Sequence, residues 1–258
     1  MRYKGKNMID WQEQWAYFVR QWTNNGYKMF LRGLSNTCKI AILGLIIGII
    51  LGAVIAIIRV MPKYKLIPRI LDKISAVYVA FFRGTPILVQ LIIVHYILKP
   101  IFGFSVSSII EAIIVFGLNS GAYVSEIMRS GINSVDKGQM EAGRSLGLGY
   151  WTTMVKIVLP QAIKNIIPTL GNEFIALMKD TSVVNIIAVD DLYRAFNLMG
   201  GSKYWYIIPY LVLAICYIVL VLIIAGLVKI IEKVMSKSDK KQEKNSKSKG
   251  FGKVSQKG

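Results

Sequence analysis

Cysteine and histidine are scarce in this sequence: Cys38, Cys216 and the single histidine His95 stand among 258 residues. Neither cysteine has metal-ligand spacing, which argues against a zinc site or a disulfide framework. Both fall in or beside apolar runs and read as small packing residues. His95 has no companion ligand and reads as a histidine satisfied within a helical bundle, not as a metal ligand or proton relay. No G-x-x-x-x-G-K-[ST] loop occurs, so the chain cannot by itself bind and hydrolyse ATP in the P-loop manner. Acidic residues are few, 14 against 32 Lys plus Arg. The N-terminal MRYKGKNMIDWQEQW lacks the uninterrupted apolar core of a signal peptide, so the first apolar run is expected to be a permanent span.

What is abundant is apolar surface: 54% of the residues are hydrophobic although the formal charge is +18. A soluble domain rarely combines the two, whereas a membrane protein separates them into apolar spans and basic loops. The charge therefore points to a lipid bilayer and not to nucleic acid.

Ile40 to Ile58 carries no charge and is long enough, at about 1.5 Å per residue, to cross most of a roughly 30 Å hydrocarbon core. Gly44, Gly48 and Gly52 fall on one face of it, a pattern that lets a neighbouring backbone approach closely, here expected inside the subunit. A second run, about Ile74 to Leu98, is interrupted by Arg83-Gly84-Thr85-Pro86. Irregular backbone at membrane depth is tolerated only where protein buries it or a cavity adjoins it. A third span is expected from about Val106 to Met128, a fourth and irregular one from about Ile163 to Val189, and a fifth from Tyr204 to about Ile231, opening on an interfacial Tyr204-Trp205-Tyr206 belt. The expectation is an all-α membrane protein with five transmembrane helices. It divides into an extracytoplasmic or interfacial arm (1–33), a transmembrane domain (34–235) and a Lys-rich tail (236–258) expected to be disordered.

Charge sets the orientation. With the C-terminus in the cytoplasm the inner loops and tail hold 20 Lys/Arg against ten outside, which places the N-terminus outside. The basic arm dissents from this bias, but its Trp11, Trp15, Trp22 and Tyr27 suit a helix lying in the interface and anchoring the chain to the membrane.

The loop of about 129–160 is far longer than a simple connection and should hold structure of its own. From about Asp136 to Leu146 it can form a short helix begun by Asp136 and ended by Gly147 and Gly149. Glu141-Ala142-Gly143, three residues, Gly147, nine residues and Ile157-Val158-Leu159-Pro160 follow one another here. This spacing resembles the EAA signature of ABC-importer permeases. FRGTPILVQL, NSGAYVSEIMRSGINSVDKGQMEAG and LGNEFIALMKDTSVVNIIAVDDL extend the resemblance to the polar-amino-acid branch, the histidine, glutamine and arginine type.

The resemblance implies a type I ABC-importer permease fold in a bacterial cell membrane, with the short loop helix as a cytoplasmic coupling helix. It implies two copies of an ATP-binding cassette ATPase that hold the ATP and Mg, an extracytoplasmic amino-acid-binding protein, and no enzyme activity or bound cofactor on this chain. A second permease subunit, identical or paralogous, is expected because one chain supplies half a path. Glu141, Ala142, Gly143, Gly147, Leu159 and Pro160 would form the coupling element, with Glu141 anchoring the ATPase and Gly147 permitting a sharp exit. Gly143 replaces the family's usual second Ala; the exchange is expected to cost little in shape and to loosen the helix by about 1 kcal/mol.

Polar residues within spans are costly and so are candidates for the path. A zwitterionic amino acid needs donors for its carboxylate and acceptors for its ammonium. Thr85, Asn119, Tyr123 and Asp180 supply that set, although Asp180 could equally pair with Lys179 or a headgroup. Asn119, Tyr123 and Glu126 share one helical face, and Glu126 is better explained by pairing with Arg129. An ATP-independent channel or secondary transporter is the alternative, but it would need no cytoplasmic docking helix. An intramembrane enzyme would need a nucleophile, metal cluster or acid–base pair that the sequence does not offer.

Overall fold

The structure is a computed structural model that describes residues 10–254, with side chains described as far as residue 235. The start of the arm and the last four residues lie outside the described residues.

The three glycines of the first apolar run position its largest helix–helix contact. They lie buried on one face of α2 (Tyr27–Val60), against α6 (Ser108–Asn133). A Cβ on Gly48 would come 2.5 Å from Ser120 Oγ, and one on Gly52 would come 2.7 Å from Val124 Cγ1. Gly117 and Gly121 of α6 answer in kind, facing Ile47 and Leu51. Backbone-to-backbone approach of this kind needs small residues on both helices, and the packing is within the subunit, as expected.

α2 is longer than the run that announces it. α1 (Trp11–Gln21) passes through π-helical turns at Trp22–Gly26 directly into α2, so Trp11–Val60 is one 50-residue helix. At 1.5 Å per residue it is about 75 Å long, well beyond a bilayer core. α1 does not lie apart. Phe18 stacks on Phe196, Tyr17 meets Trp205 edge-on, and a cluster of Phe18, Phe196, Met199, Ile208 and Leu213 joins it to α10 (Leu192–Gly201) and α11 (Ile207–Val254).

The interrupted second run becomes α3 (Leu66–Gly84) and a bent continuation: α4 (Ile87–Ile92), π-helical turns at Ile93–Leu98, and α5 (Lys99–Phe102). The two halves meet at 102°. Thr85 and Pro86 take extended backbone there, since the residue before a proline is pushed out of the helical region. His95 is satisfied as expected: its Nδ1 is 3.0 Å from Glu111 Oε2, and Lys99 Nζ reaches the same buried carboxylate at 3.1 Å. Cys38 and Cys216 pack with the two hydrophobic clusters.

Among the described residues, three helices are long and apolar enough to cross a membrane, Trp11–Val60, Ser108–Asn133 and Ile207–Met235, and the bent pair adds a fourth if it is one span. The expected fourth crossing, α9 (Leu159–Asp180) followed by a 3₁₀ stretch Thr181–Ile187, is not among them. Its Lys164, Asn165, Asn172, Glu173, Lys179 and Asp180 lower its apolar content. Length and composition alone therefore do not give the expected count of five. The backbone of α11 is helical to Val254, through the stretch for which disorder is expected after about Ser236. Lysine, a good helix former, is the commonest residue there, although serine and glycine, which are poorer ones, are also present.

Candidate functional site

The 102° bend exposes backbone carbonyls, and the surrounding side chains bond to them. Gln90, buried on α4, donates from Nε2 to Phe82 O, Thr85 O and Thr85 Oγ1 at 2.9–3.0 Å. Asn119 of α6 donates from Nδ2 to Phe82 O at 3.2 Å and to Gln90 Oε1 at 3.1 Å. The break is thus held by two amides from different helices, and no carbonyl freed at Phe82 or Thr85 is left bare.

Beside this bend lies a cavity of about 210 Å³. Thr85, Asn119, Tyr123 and Asp180, the residues expected to line a path, all line it. They come from the α3–α4 break, α6 and the end of α9. Sequence reasoning missed Glu173, which shares the cavity with Asp180. Glu173 and Asp180 are seven residues apart, which puts them on one face of α9, and that spacing was the available signal. Asn119 is only partly as expected, because its donor nitrogen is committed to the bend.

Arg83 stands at the end of α3 with its guanidinium carbon 5.3 Å from the Tyr123 ring centre and Nη1 3.9 Å from Glu126 Oε2. Glu126 does not enter the cavity. Arg129 holds it through Nε and Nη2, the latter at 2.7 Å, and Arg59 at the end of α2 bonds its other oxygen. Arg59 also faces Asp72 of α3 at 4.0 Å. The expected Glu126–Arg129 pair is present, within a wider network that joins the ends of α2, α3 and α6.

At the same end of the molecule the loop folds into α7 (Lys137–Ser145) and α8 (Tyr150–Thr153), then π-helical turns at Met154–Val158 that lead into α9. Asp136 begins α7 by accepting from Gly138 N at 2.7 Å. Gly147 ends it at φ 79°, with Gly147 N bonded to Arg144 O and Leu148 N to Gly143 O, both at 3.0 Å. The left-handed backbone at Gly147 is a helix exit that glycine adopts without steric cost. Glu141 and Ala142 are exposed on α7, and Leu159 and Pro160 open α9 directly after the π-helical turns.

Gly143 requires a correction. It is buried against α8, and a Cβ there would come 2.4 Å from Thr153 Cγ2 and 2.8 Å from Thr153 Oγ1. Alanine at this position is not a change of little consequence for shape, because α7 packs on α8 at van der Waals distance through the missing side chain. The tertiary contact was invisible in a local helix argument. Also unread were Leu146 and Trp151, large apolar residues 80% and 52% exposed beside Glu141's helix. Tyr150 ties the loop to the bundle, its hydroxyl donating to Val60 O at 3.0 Å, and burial pushes its phenol pKa up.

The pattern of the family described as binding-protein-dependent transport system inner membrane component matches residues 44–237. The arginine transport system permease protein ArtQ of Bacillus subtilis (strain 168) is 40% identical over 191 residues, 74% of this chain and 85% of that protein. The crystal structure of an amino acid ABC transporter with histidines is similar at a TM-score of 0.75 and 34% identity, covering 87% of this chain and 98% of that one. An inward-facing structure of the MetNI methionine ABC transporter shares the fold at a TM-score of 0.68 and 17% identity, over 80% of this chain and 96% of that one.

Proposed function

The chain belongs to the family of binding-protein-dependent transport system inner membrane components, the permease subunits of ABC importers, and from that premise we propose that it carries a polar amino acid through the cavity at the α3–α4 bend. The supporting observation is that Thr85, Tyr123, Glu173 and Asp180, from three separate parts of the chain, line one cavity. An α-amino acid's ammonium would meet the carboxylates of Glu173 and Asp180. Its carboxylate would meet the Thr85 hydroxyl and the Tyr123 phenol, with Arg83 adjoining.

In this reading α9 with its 3₁₀ continuation is a fifth span, too polar to be recognised by composition because its polar face adjoins the path. The N-terminus lies outside and the C-terminus in the cytoplasm of a bacterial cell. Glu141, Ala142 and the Gly147 exit form the knob that enters a groove of a separate ATPase carrying ATP and Mg, two copies of which serve a pair of permease subunits. Leu146 and Trp151 supply apolar contact to that interface. An extracytoplasmic binding protein delivers the solute.

The test is uptake of labelled amino acids by the reconstituted complex. Asp180→Asn and Glu173→Gln should each lower uptake while the complex still assembles and hydrolyses ATP. Unaltered uptake kinetics in both variants would remove the cavity from the path. Uptake that persists without ATPase and ATP would favour an ATP-independent channel or secondary transporter instead.

A further inference from the structure

A second and larger cavity, about 400 Å³, lies at the opposite end of the molecule from the coupling loop, between the start of α2 and α10. Its size is within the roughly 300–1,000 Å³ of small-molecule sites. Three cations line it: Lys28 and Arg32, one turn apart on α2, and Arg194 on α10. Asp190 is shared between two of them, 3.3 Å from Arg32 Nη1 and 3.1 Å from Arg194 Nε. Asp191, the other carboxylate in the lining, is fully buried and turned to the N–H groups of Tyr193 and Arg194, which it caps at 3.1 and 2.9 Å. The cavity thus holds an excess of positive charge. Lys28 has no carboxylate within ion-pair distance among the described residues, and lies only over the Tyr27 ring at 5.9 Å. Arg194 Nε is buried and out of line for a hydrogen bond to Asp190, so a donor there lacks an aligned acceptor.

The surroundings are those of a membrane interface. Tyr193 of α10 stacks on Tyr210, and Tyr210 on Tyr206, at the beginning of the apolar α11. Asn197 donates to the Tyr210 hydroxyl at 2.8 Å. Aromatic rings with polar tips mark the headgroup level. Apolar side chains, Met29, Ala195 and the half-exposed Leu198, complete the cavity wall. A ligand here meets guanidinium and ammonium groups on one side and aliphatic surface on the other, as a phosphodiester with attached acyl chains would.

We propose that this cleft binds the phosphate of an anionic phospholipid headgroup. The phosphate would take its hydrogen bonds from Arg194 and Lys28, with Arg32 completing the charge, since arginine forks match phosphate oxygens. The assignment is independent of which solute the permease carries and of the path at the bend.

The test uses the full chain purified in detergent and followed by native mass spectrometry, titrated with phosphatidylglycerol or with phosphatidylcholine of the same acyl chains. Phosphatidylglycerol should be retained preferentially, and Lys28→Glu should weaken it more than the roughly fivefold per cation expected for removing one Lys or Arg near a lipid surface. Lys28 is exposed and outside any ion pair, so its variant should fold; Arg194→Gln, checked by its thermal unfolding, should show the same loss. Equal retention of the two lipids, or phosphatidylglycerol binding unchanged in Lys28→Glu, would overturn the proposal. Displacement of the lipid by millimolar inorganic phosphate would overturn the lipid source and leave a site for soluble phosphate. In the complex assembled with its ATPase and binding protein, loss of binding-protein-stimulated ATP hydrolysis in Lys28→Glu with lipid preference intact would assign the cleft to an acidic protein surface and overturn it as well.

Discussion

Placing alanine at position 143 is a decisive test of how the loop of α7 and α8 is built. On helix propensity alone, Gly143→Ala should stabilise α7 by about 1 kcal/mol. The packing opposes this. The new methyl would sit 2.4 Å from Thr153 Cγ2, and Thr153 is fully buried, so it has no open space into which to turn. Overpacking of this kind costs typically about 1–3 kcal/mol, which leaves Gly143→Ala destabilising by up to about 2 kcal/mol. Thr153→Ala alone loses a hydroxyl that bonds Gly149 O at 3.2 Å and a buried methyl, about 1–2 kcal/mol together. In the double variant the clash is gone and the propensity gain returns. The cycle should therefore show a favourable coupling of about 1–3 kcal/mol between the two changes. Hydrogen exchange of the α7 amides reads this directly, because local opening follows local stability, about tenfold in exchange for each 1.4 kcal/mol. Faster exchange in Gly143→Ala, reversed in the double variant, is the expected result. Slower exchange in the single variant with no coupling would refute the packing argument and leave only helix propensity.

Three further outcomes are expected. Glu141→Lys should insert in the membrane normally but lose copurification with the ATPase and its stimulation; normal copurification would end the docking role. Gln90→Leu should cost about 2–3 kcal/mol, because it strips the Phe82 and Thr85 carbonyls of a buried donor, and a thermal melt like that of the parent would show that the amide does not hold the bend. Burial pushes the Asp191 carboxyl up to about 6 although the backbone N–H groups of Arg194, Tyr193 and Asp191 itself oppose the shift. The folded protein then binds that proton more tightly than the unfolded chain, so the stabilisation is present below about pH 4 and is lost as pH rises through 6. Asp191→Asn keeps the cap and should flatten the fall in melting temperature between pH 4.5 and 7; an identical slope in both proteins would remove Asp191 as its source.

Much of this architecture is legible where a local rule decides. The glycines at 44, 48 and 52 announce a close helix contact, Gly84 and Pro86 announce the bend, and Asp136 and Gly147 mark the ends of α7, because each acts through its own backbone. What escapes is decided by partners distant in sequence. Gln90 reads as one polar residue in an apolar run until the bend brings Phe82 and Thr85 to it. Glu173 reads as an isolated charge until α9 turns it beside Asp180. The arm reads as an interfacial helix separate from the first span, yet π-helical turns at Trp22–Gly26 carry the helix on into α2 while the Thr23 hydroxyl bonds Val19 O and Arg20 O. The cavity-lining residues Thr85, Asn119, Tyr123 and Asp180 were readable because unpaired polarity is costly in lipid, but which of their atoms remain available depends on the bend.

The unbroken helix from Trp11 to Val60 makes the permease behave as a pole held at both tips. Near one tip, Phe18 stacks on Phe196 of α10 and Tyr17 meets Trp205 edge-on; near the middle, Gly33 closes on the Asp191 backbone, where a Cβ would come 2.5 Å from Asp191 O. At the other tip, Arg59 ties it to Glu126 and Asp72. The regular α-helical part, Tyr27–Val60, about 51 Å long, cannot take up motion by bending locally at little cost, so a tilt of a few degrees imposed at Arg59 swings the Tyr27 end by a few ångströms. Movement imposed at the Arg59 end would thus be felt at the Tyr27 end within a single piece of secondary structure, with no relay of side chains in between.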